Sequence, residues 1–260
     1  MAGRFRDLLI LHSKFEILNS DAHARAVTIL RGVFPTIPPP PQRLLVFARV
    51  PELGQVKTRL AETIGTHKAL AVYEAMLHDV LTNVGDSTPE TEVEIAWAPT
   101  ATAHGDVLRR AFGDRNLAMQ TGATLGERLS MAFSERFFFH RTQKIIAIGV
   151  DDPGLTREIV DHAFGLLDSC EWVIGPATDG GYYLIGCRTA AFRTEVFAGV
   201  EWGTSRVLGT TMSRIREWEN TVAMLPLRYD IDVIDDLQRF ARENHGGELG
   251  TIAAGLLAKS

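Results

Sequence analysis

The sequence predicts an α/β domain built on a largely parallel sheet. Short apolar runs rich in β-branched residues alternate with longer stretches of helical period from Arg43 onward. No repeat with a period of roughly 20 to 50 residues interrupts the alternation, which leaves solenoids and propellers unsupported. A chain of 260 residues fits one large domain better than two complete ones.

The expected strands are Leu44–Val50, Val93–Ala98, Lys144–Val150, Glu171–Gly175, Tyr182–Cys187 and Thr221–Pro226. Between the first two, residues 67–84 place Leu70, Tyr73, Leu77, Val80, Leu81 and Val84 on one helical stripe. Leu125, Leu129, Ala132, Phe133 and Phe137 make a second stripe, and Leu208, Thr211, Ile215 and Trp218 a third. Residues 1–42 stand apart: five basic residues against three acidic ones, one or two short helices expected, and then the run Pro38–Pro41. Consecutive prolines favour an extended, semi-rigid segment, so the expected organisation is an appendage over 1–42 and the main domain over 43–260. A secretory signal is not expected, because Asp7 interrupts the apolar stretch and no small-residue cleavage site follows.

With 27 Lys and Arg against 32 Asp and Glu, the net charge is −5, which excludes a dedicated nucleic-acid binder. No apolar run approaches the roughly 18 residues of a membrane-spanning helix, so a soluble protein is expected. Cys170 and Cys187 form neither a disulfide framework nor a zinc pattern, and a reducing cytoplasm is the expected compartment.

Ligands of open parallel sheets bind beyond the carboxyl ends of the strands, so the chemistry should lie in the segments that follow them. The first is Pro51-Glu52-Leu53-Gly54-Gln55-Val56-Lys57-Thr58-Arg59-Leu60. It matches neither standard glycine-rich phosphate fingerprint, yet offers a glycine and two cations at an apparent helix start; by itself it reads as solvated surface charge. In the second, Asp151-Asp152-Pro153-Gly154, a carboxylate could hold a hard cation or simply build a turn. Asp179-Gly180 reads first as a type I′ hairpin turn. Thr204 or Ser205 reads as a helix N-cap, and Trp202 as core or as an aromatic face for a sugar or base. In Asp230-Ile231-Asp232-Val233-Ile234-Asp235-Asp236, Asp232 is a candidate cap, with Asp235 and Asp236 complementing the helix dipole.

Taken in order, VFARVPELGQVKTRLA (from Val46), QTGATLGERLSMAF (from Gln120), IGVDDPGLT (from Ile148), GPATDGGYYLIG (from Gly175), EWGTSRVL (from Glu201) and, more loosely, DIDVIDDL (from Asp230) resemble one family. It is the glycosyltransferase-A-like group of the radical-SAM/selenodomain-associated transferase 1 type, within the nucleotide-diphospho-sugar transferase superfamily. The likeness spans roughly Arg43 to Phe240. It implies a three-layer α/β sandwich around a mixed, mostly parallel sheet, the nucleotide-diphospho-sugar transferase fold.

By that resemblance Gly54, Lys57 and Arg59 address phosphates, and Gln120 and Gly122 lie near the base. Asp151 holds Mg2+ or Mn2+ with Asp232 as second carboxylate, and Asp179, Gly180, Gly181 and Trp202 face the sugar or acceptor. The family often has a small residue or Cys where this chain has Asp152, which leaves the choice between Asp151 and Asp152 open. Its usual Thr-Pro after the last aspartate pair is Val233-Ile234 here.

The activity implied is a metal-dependent transferase using a nucleotide-activated donor, foremost a glycosyltransferase acting on a nucleotide sugar and a small-molecule acceptor. Lys57, Arg59 and Asp151 would stabilise the leaving phosphate, and Asp179 would serve as the acceptor's base. A guanylyltransferase-like nucleotidyltransferase using a nucleoside triphosphate and releasing pyrophosphate is the alternative, and a non-catalytic nucleotide-binding module is the third reading.

Overall fold

In the computed structural model, residues 40–101, 103–243 and 246–258 are described; the expectations for the first 39 residues lie outside them. The apolar run after the prolines is strand β1 (Gln42–Arg49). Two helices, α1 (Thr58–Ile64) and α2 (Thr66–Val84), lead to β2 (Thr91–Ala98). Then come α3 (Gly105–Phe112), β3 (Asn116–Met119), α4 (Leu125–Phe138) and β4 (Lys144–Ile148). The second half runs α5 (Arg157–Leu166), β5 (Trp172–Pro176), β6 (Tyr182–Arg188), α6 (Val207–Arg216), β7 (Val222–Met224), α7 (Ile234–Arg242) and α8 (Gly247–Leu257).

The seven strands form one sheet in the order β3-β2-β1-β4-β6-β5-β7. All neighbours are parallel except β6, which runs antiparallel to both β4 and β5. The fold is therefore the mixed, mostly parallel α/β sandwich that the sequence predicts. Alternation along each strand divides the core. Leu44, Val46, Val93, Ile95, Ile146 and Ile148 pack under α2, α3 and α5. On the opposite face Leu45, Ile145, Trp172, Ile174 and Ile185 meet α4, α6 and two 3-10 turns. A third cluster joins α1, α2, α7 and α8, where buried Asp79 of α2 accepts from the amides of Glu248 (2.8 Å) and Leu249 (2.9 Å) and so caps α8 from another helix.

All six expected strands and three expected helices are present, with ends shifted by a few residues. Two strands are shorter than their apolar runs. β4 stops at Ile148, and β7 covers only Val222–Met224, although Leu225 still donates to the Ile174 carbonyl at 2.8 Å. Strand β3 was not expected: its four residues are half-exposed at the sheet edge and carry no buried face to read. Helices α3, α5 and α8 were also missed, being eight to eleven residues long and so offering few turns of period.

Pairing begins before the expected boundary. The Pro41 carbonyl accepts from Gln143 (2.9 Å) and Lys144 (3.1 Å), and buried Arg43 pairs with Glu92 at 2.6 Å and with Glu94. A chain shortened to begin at Pro40 is therefore expected to melt within about 2 °C of the full-length protein, whereas one beginning at Leu44 should lose more than about 5 °C. Equal melting temperatures for the two would show that these contacts carry no stability.

Candidate active site

The carboxyl ends of β1, β2 and β4 open into a cleft of about 520 Å³. Lys57, Arg59, Gln120, Asp151, Asp179, Gly181, Trp202 and Asp232 all line it, so most of the residues singled out from the sequence meet in one place. Gly54, Gly122 and Gly180 do not line it. Gly54 has φ 74° in a turn closed by Gln55 donating to the Glu52 carbonyl at 3.0 Å. Gly122 has φ 130° and no room for a Cβ beside Glu127. Gly180 lies against the Ser205 backbone with φ 90°. These three glycines shape loops, and their side of the reading is conformational.

Lys57 ends the first loop in a left-handed conformation (φ 46°, ψ 45°), unusual for a residue with a side chain, while its carbonyl accepts the first bond of α1 from Ala61. That geometry turns the side chain inward, where it is only 4% exposed. Its ammonium donates to Asp151 Oδ1 at 2.6 Å and Asp232 Oδ1 at 2.9 Å. Burial alone would lower the lysine's pKa, but the two carboxylates outweigh it and the net shift is upward, so the group is held charged. Arg59 is mostly exposed, 3.9 Å from Asp232 Oδ2.

The adjacent aspartates divide their work. Asp152 is buried, with Oδ1 accepting from the Gly154 amide at 3.0 Å and both oxygens engaged by the Arg228 guanidinium. It provides the turn chemistry of the Asp-Pro-Gly segment, while Asp151 stands half-exposed in the cleft. The Asp151 carbonyl accepts from Ile231 at 2.9 Å, which brings the 230–232 segment alongside.

Three local readings need correction. Asp232 does not cap α7: the amides of Asp232 and Val233 donate to Asp236 Oδ2 at 3.0 and 2.9 Å, so Asp236 serves that end. Arg206, not Thr204 or Ser205, occupies the N-cap of α6; the Thr204 hydroxyl instead accepts from the Arg206 amide at 3.3 Å. Asp179-Gly180 does lie in the β5–β6 connection, but only Gly180 has positive φ, so the turn is not type I′. Asp179 accepts from the Gly181 amide at 2.8 Å.

The opposite wall comes from α4, the loop before it and the segment before α6. Buried Gln120 donates from Nε2 to the Ala96 carbonyl at 2.6 Å, and Trp202 meets Tyr182 edge-on at 6.1 Å. Sequence reasoning missed Arg49 and Arg128 as lining residues. Arg128 donates from Nε to the Gly122 carbonyl at 3.0 Å, which orients its guanidinium at the cleft wall. No signal in the sequence marks it, because β3, the strand before its helix, has no buried face to read. Asp230 also lines the cleft, its carboxyl pushed up from 3.8 to about 7 by burial, then by the charges of Asp151 and Asp179.

Among the described residues no group of three or more His, Cys, Asp or Glu is placed to hold a metal ion, and no helix is long and apolar enough to cross a membrane. Two carboxylate oxygens do converge on a single cation position. That donor set suits an ion such as Mg2+, which keeps water and substrate phosphate as its remaining ligands.

A fold of this topology with a cationic and carboxylate cleft at the strand ends defines a nucleotide-using transferase architecture. A family described as an uncharacterized protein conserved in bacteria (DUF2064) matches residues 83–204. A crystal structure of a candidate nucleotide-diphospho-sugar transferase from Desulfovibrio desulfuricans G20 is 30% identical, with a TM-score of 0.80, over 84% of this chain and 96% of that one. The chain belongs to this nucleotide-diphospho-sugar transferase family. A cytidylyltransferase from Leptospira borgpetersenii serovar Hardjo-bovis (12% identity, TM-score 0.50, 85% of this chain and 95% of that one) shares the fold. So does the bifunctional IspDF from Campylobacter jejuni (10%, 0.51, 76% and 53%). A search of curated proteins finds no match.

Two outcomes follow from the geometry. Asp152→Ala should cost about 2–4 kcal/mol in urea unfolding by stranding Arg228, whereas Asp151→Asn should cost less than about 1.5 kcal/mol; equal costs would contradict the division of work. For Asp230, the raised carboxyl means that the native state holds a proton which the unfolded chain releases between pH 3.8 and about 7. Its contribution to metal-free stability is unperturbed below that window and falls as pH rises through it. Asp230→Asn should thus stabilise the metal-free protein by on the order of 2–4 kcal/mol at pH 8 and by little at pH 4. A stabilisation independent of pH would contradict the shift.

Proposed function

We propose that this protein is a metal-dependent glycosyltransferase that uses a nucleotide sugar as donor and a small molecule as acceptor. The observation that carries the reading is the joining of Lys57, Asp151 and Asp232 across one cleft, facing a wall of Gln120, Arg128 and Trp202. Glycosyl transfer from a nucleoside diphosphate leaves negative charge on phosphate, and cations held in position beside it stabilise that charge.

Lys57, Arg59 and Arg128 would engage the phosphate oxygens, as point charge and planar forks respectively. Gln120, oriented by the Ala96 carbonyl, would meet the base. Asp151 and Asp232 would hold Mg2+ or Mn2+, which when bound supplies Lewis-acid stabilisation of the leaving phosphate. The Trp202 and Tyr182 rings suit the apolar face of a sugar. Asp179, exposed at the loop with its Oδ1 on the Gly181 amide, would accept the proton from the acceptor. The two cysteines are free, which supports a reducing, cytoplasmic setting.

The test is thermal shift against nucleoside diphosphate sugars and nucleoside triphosphates, with and without Mn2+, followed by identification of the released product. A nucleotide sugar at about 100 times its Kd should raise Tm by roughly 5–10 °C only with Mn2+, with nucleoside diphosphate released. Release of pyrophosphate from a triphosphate would replace this reading with nucleotidyl transfer, and shifts without turnover would replace it with a binding module. No shift with any nucleotide would remove it altogether.

A further inference from the structure

We infer that Lys57 is a resident cation that keeps the Asp151–Asp232 pair closed to divalent ions until nucleotide phosphates draw it away. Metal and nucleotide then enter as a unit. This rests on the phosphate and metal reading of the cleft and adds to it an obligatory exchange.

The inference comes from one side chain being asked to be in two places. As a phosphate ligand Lys57 must reach into the cleft, yet its ammonium is buried and directed at both carboxylates that would hold the ion, at 2.6 and 2.9 Å. A divalent ion bound to the same two oxygens would sit about 2.0–2.2 Å from each, in the space that Nζ fills. The two cations would then be in contact, and like charges a few ångströms apart beside an ammonium that is only 4% exposed repel strongly. An ion at those two oxygens cannot simply add; it must displace the lysine.

Displacement into water keeps the ammonium charged but gives up both carboxylate partners. Displacement onto phosphate replaces two carboxylates by two or more phosphate oxygens at little net loss. The lysine stem has four carbons of freedom for this movement. Its backbone does not, because the left-handed turn at Lys57 and the first bond of α1 fix where the stem begins. The exchange is thus a swing of one side chain about a fixed root, from the carboxylates to the phosphates. Arg59, exposed and 3.9 Å from Asp232, cannot take over the role, since its guanidinium lies at the rim and reaches one carboxylate only.

The test uses Mn2+ alone, followed by its electron paramagnetic resonance signal, on the full chain. Lys57→Met keeps the stem and removes the charge. It should bind Mn2+ in the absence of nucleotide at least about tenfold more tightly than wild type, while Lys57→Met with Asp232→Asn should lose that gain. Lys57→Gln, which keeps a donor between the carboxylates, should show the same gain and serves as the second variant if Lys57→Met does not fold. Unchanged or weaker Mn2+ binding in the folded variant overturns the inference. Titrating a nucleoside diphosphate separates the two levels. A gain in Mn2+ affinity with nucleotide binding to neither protein leaves competition between Lys57 and the ion, but overturns both the phosphate-driven exchange and the transferase reading. Nucleotide binding to wild type with no Mn2+ gain in the variant supports the transferase reading and overturns the exchange.

Discussion

One buried ammonium facing two half-exposed carboxylates governs the arrangement of this molecule. Lys57, Asp151 and Asp232 lie 94 and 175 residues apart, so their meeting is a product of the whole fold. Removing both carboxylates would leave the buried ammonium uncompensated, which is costly, whereas loss of one leaves it a partner. The surrounding structure is therefore built to hold three backbone segments at fixed separation. Parallel pairing of β1 with β4 delivers the loops after both strands to the same edge. The left-handed turn at Lys57 then aims the side chain inward, and the bond from Ile231 to the Asp151 carbonyl brings in the third segment.

The neighbour of Asp151 shows how such a site is kept apart from its scaffold. Asp152 is committed to Arg228 and to the Gly154 amide, and Arg228 is itself bound through its backbone to Pro176 at 3.1 Å. This strap joins the β4 loop to the end of β5 and to the segment before α7. Asp151 thereby escapes structural duty and presents its oxygens to the cleft. Two chemically identical side chains in sequence have different roles because only one is buried against a cation that belongs to the framework. Asp236 does the same for Asp232 by accepting the amides at the start of α7.

Much of this was legible in the sequence. Apolar runs located six strands, five of them because their burial is written in composition and β7, only partly buried, by its short run, and the long stripe of α2 was unmistakable. Edge strand β3, four residues with no buried face, left no such mark. The rule that ligands gather beyond parallel strand ends located the loops of Lys57 and Asp151. What could not be read was which polar groups meet across the chain. Asp232 suits a cap by local rules and serves the cleft instead, because a cation from a distant loop competes for it. Asp179-Gly180 suits a type I′ turn, yet the five-residue connection lets Gly180 alone take positive φ. Arg128 was invisible for the opposite reason: its place on the cleft wall depends on the Gly122 carbonyl that orients it.

In the exchange inferred above, Lys57 and a divalent ion share one pair of carboxylates and phosphate decides between them. The most direct measurement is a crystal structure of the protein with Mn2+ and a nucleoside diphosphate, with the metal located by its anomalous scattering. The account predicts Mn2+ between Asp151 and Asp232, phosphate oxygens completing its shell, and the Lys57 ammonium on phosphate. Mn2+ and nucleotide bound with Lys57 still bridging the two aspartates would contradict it.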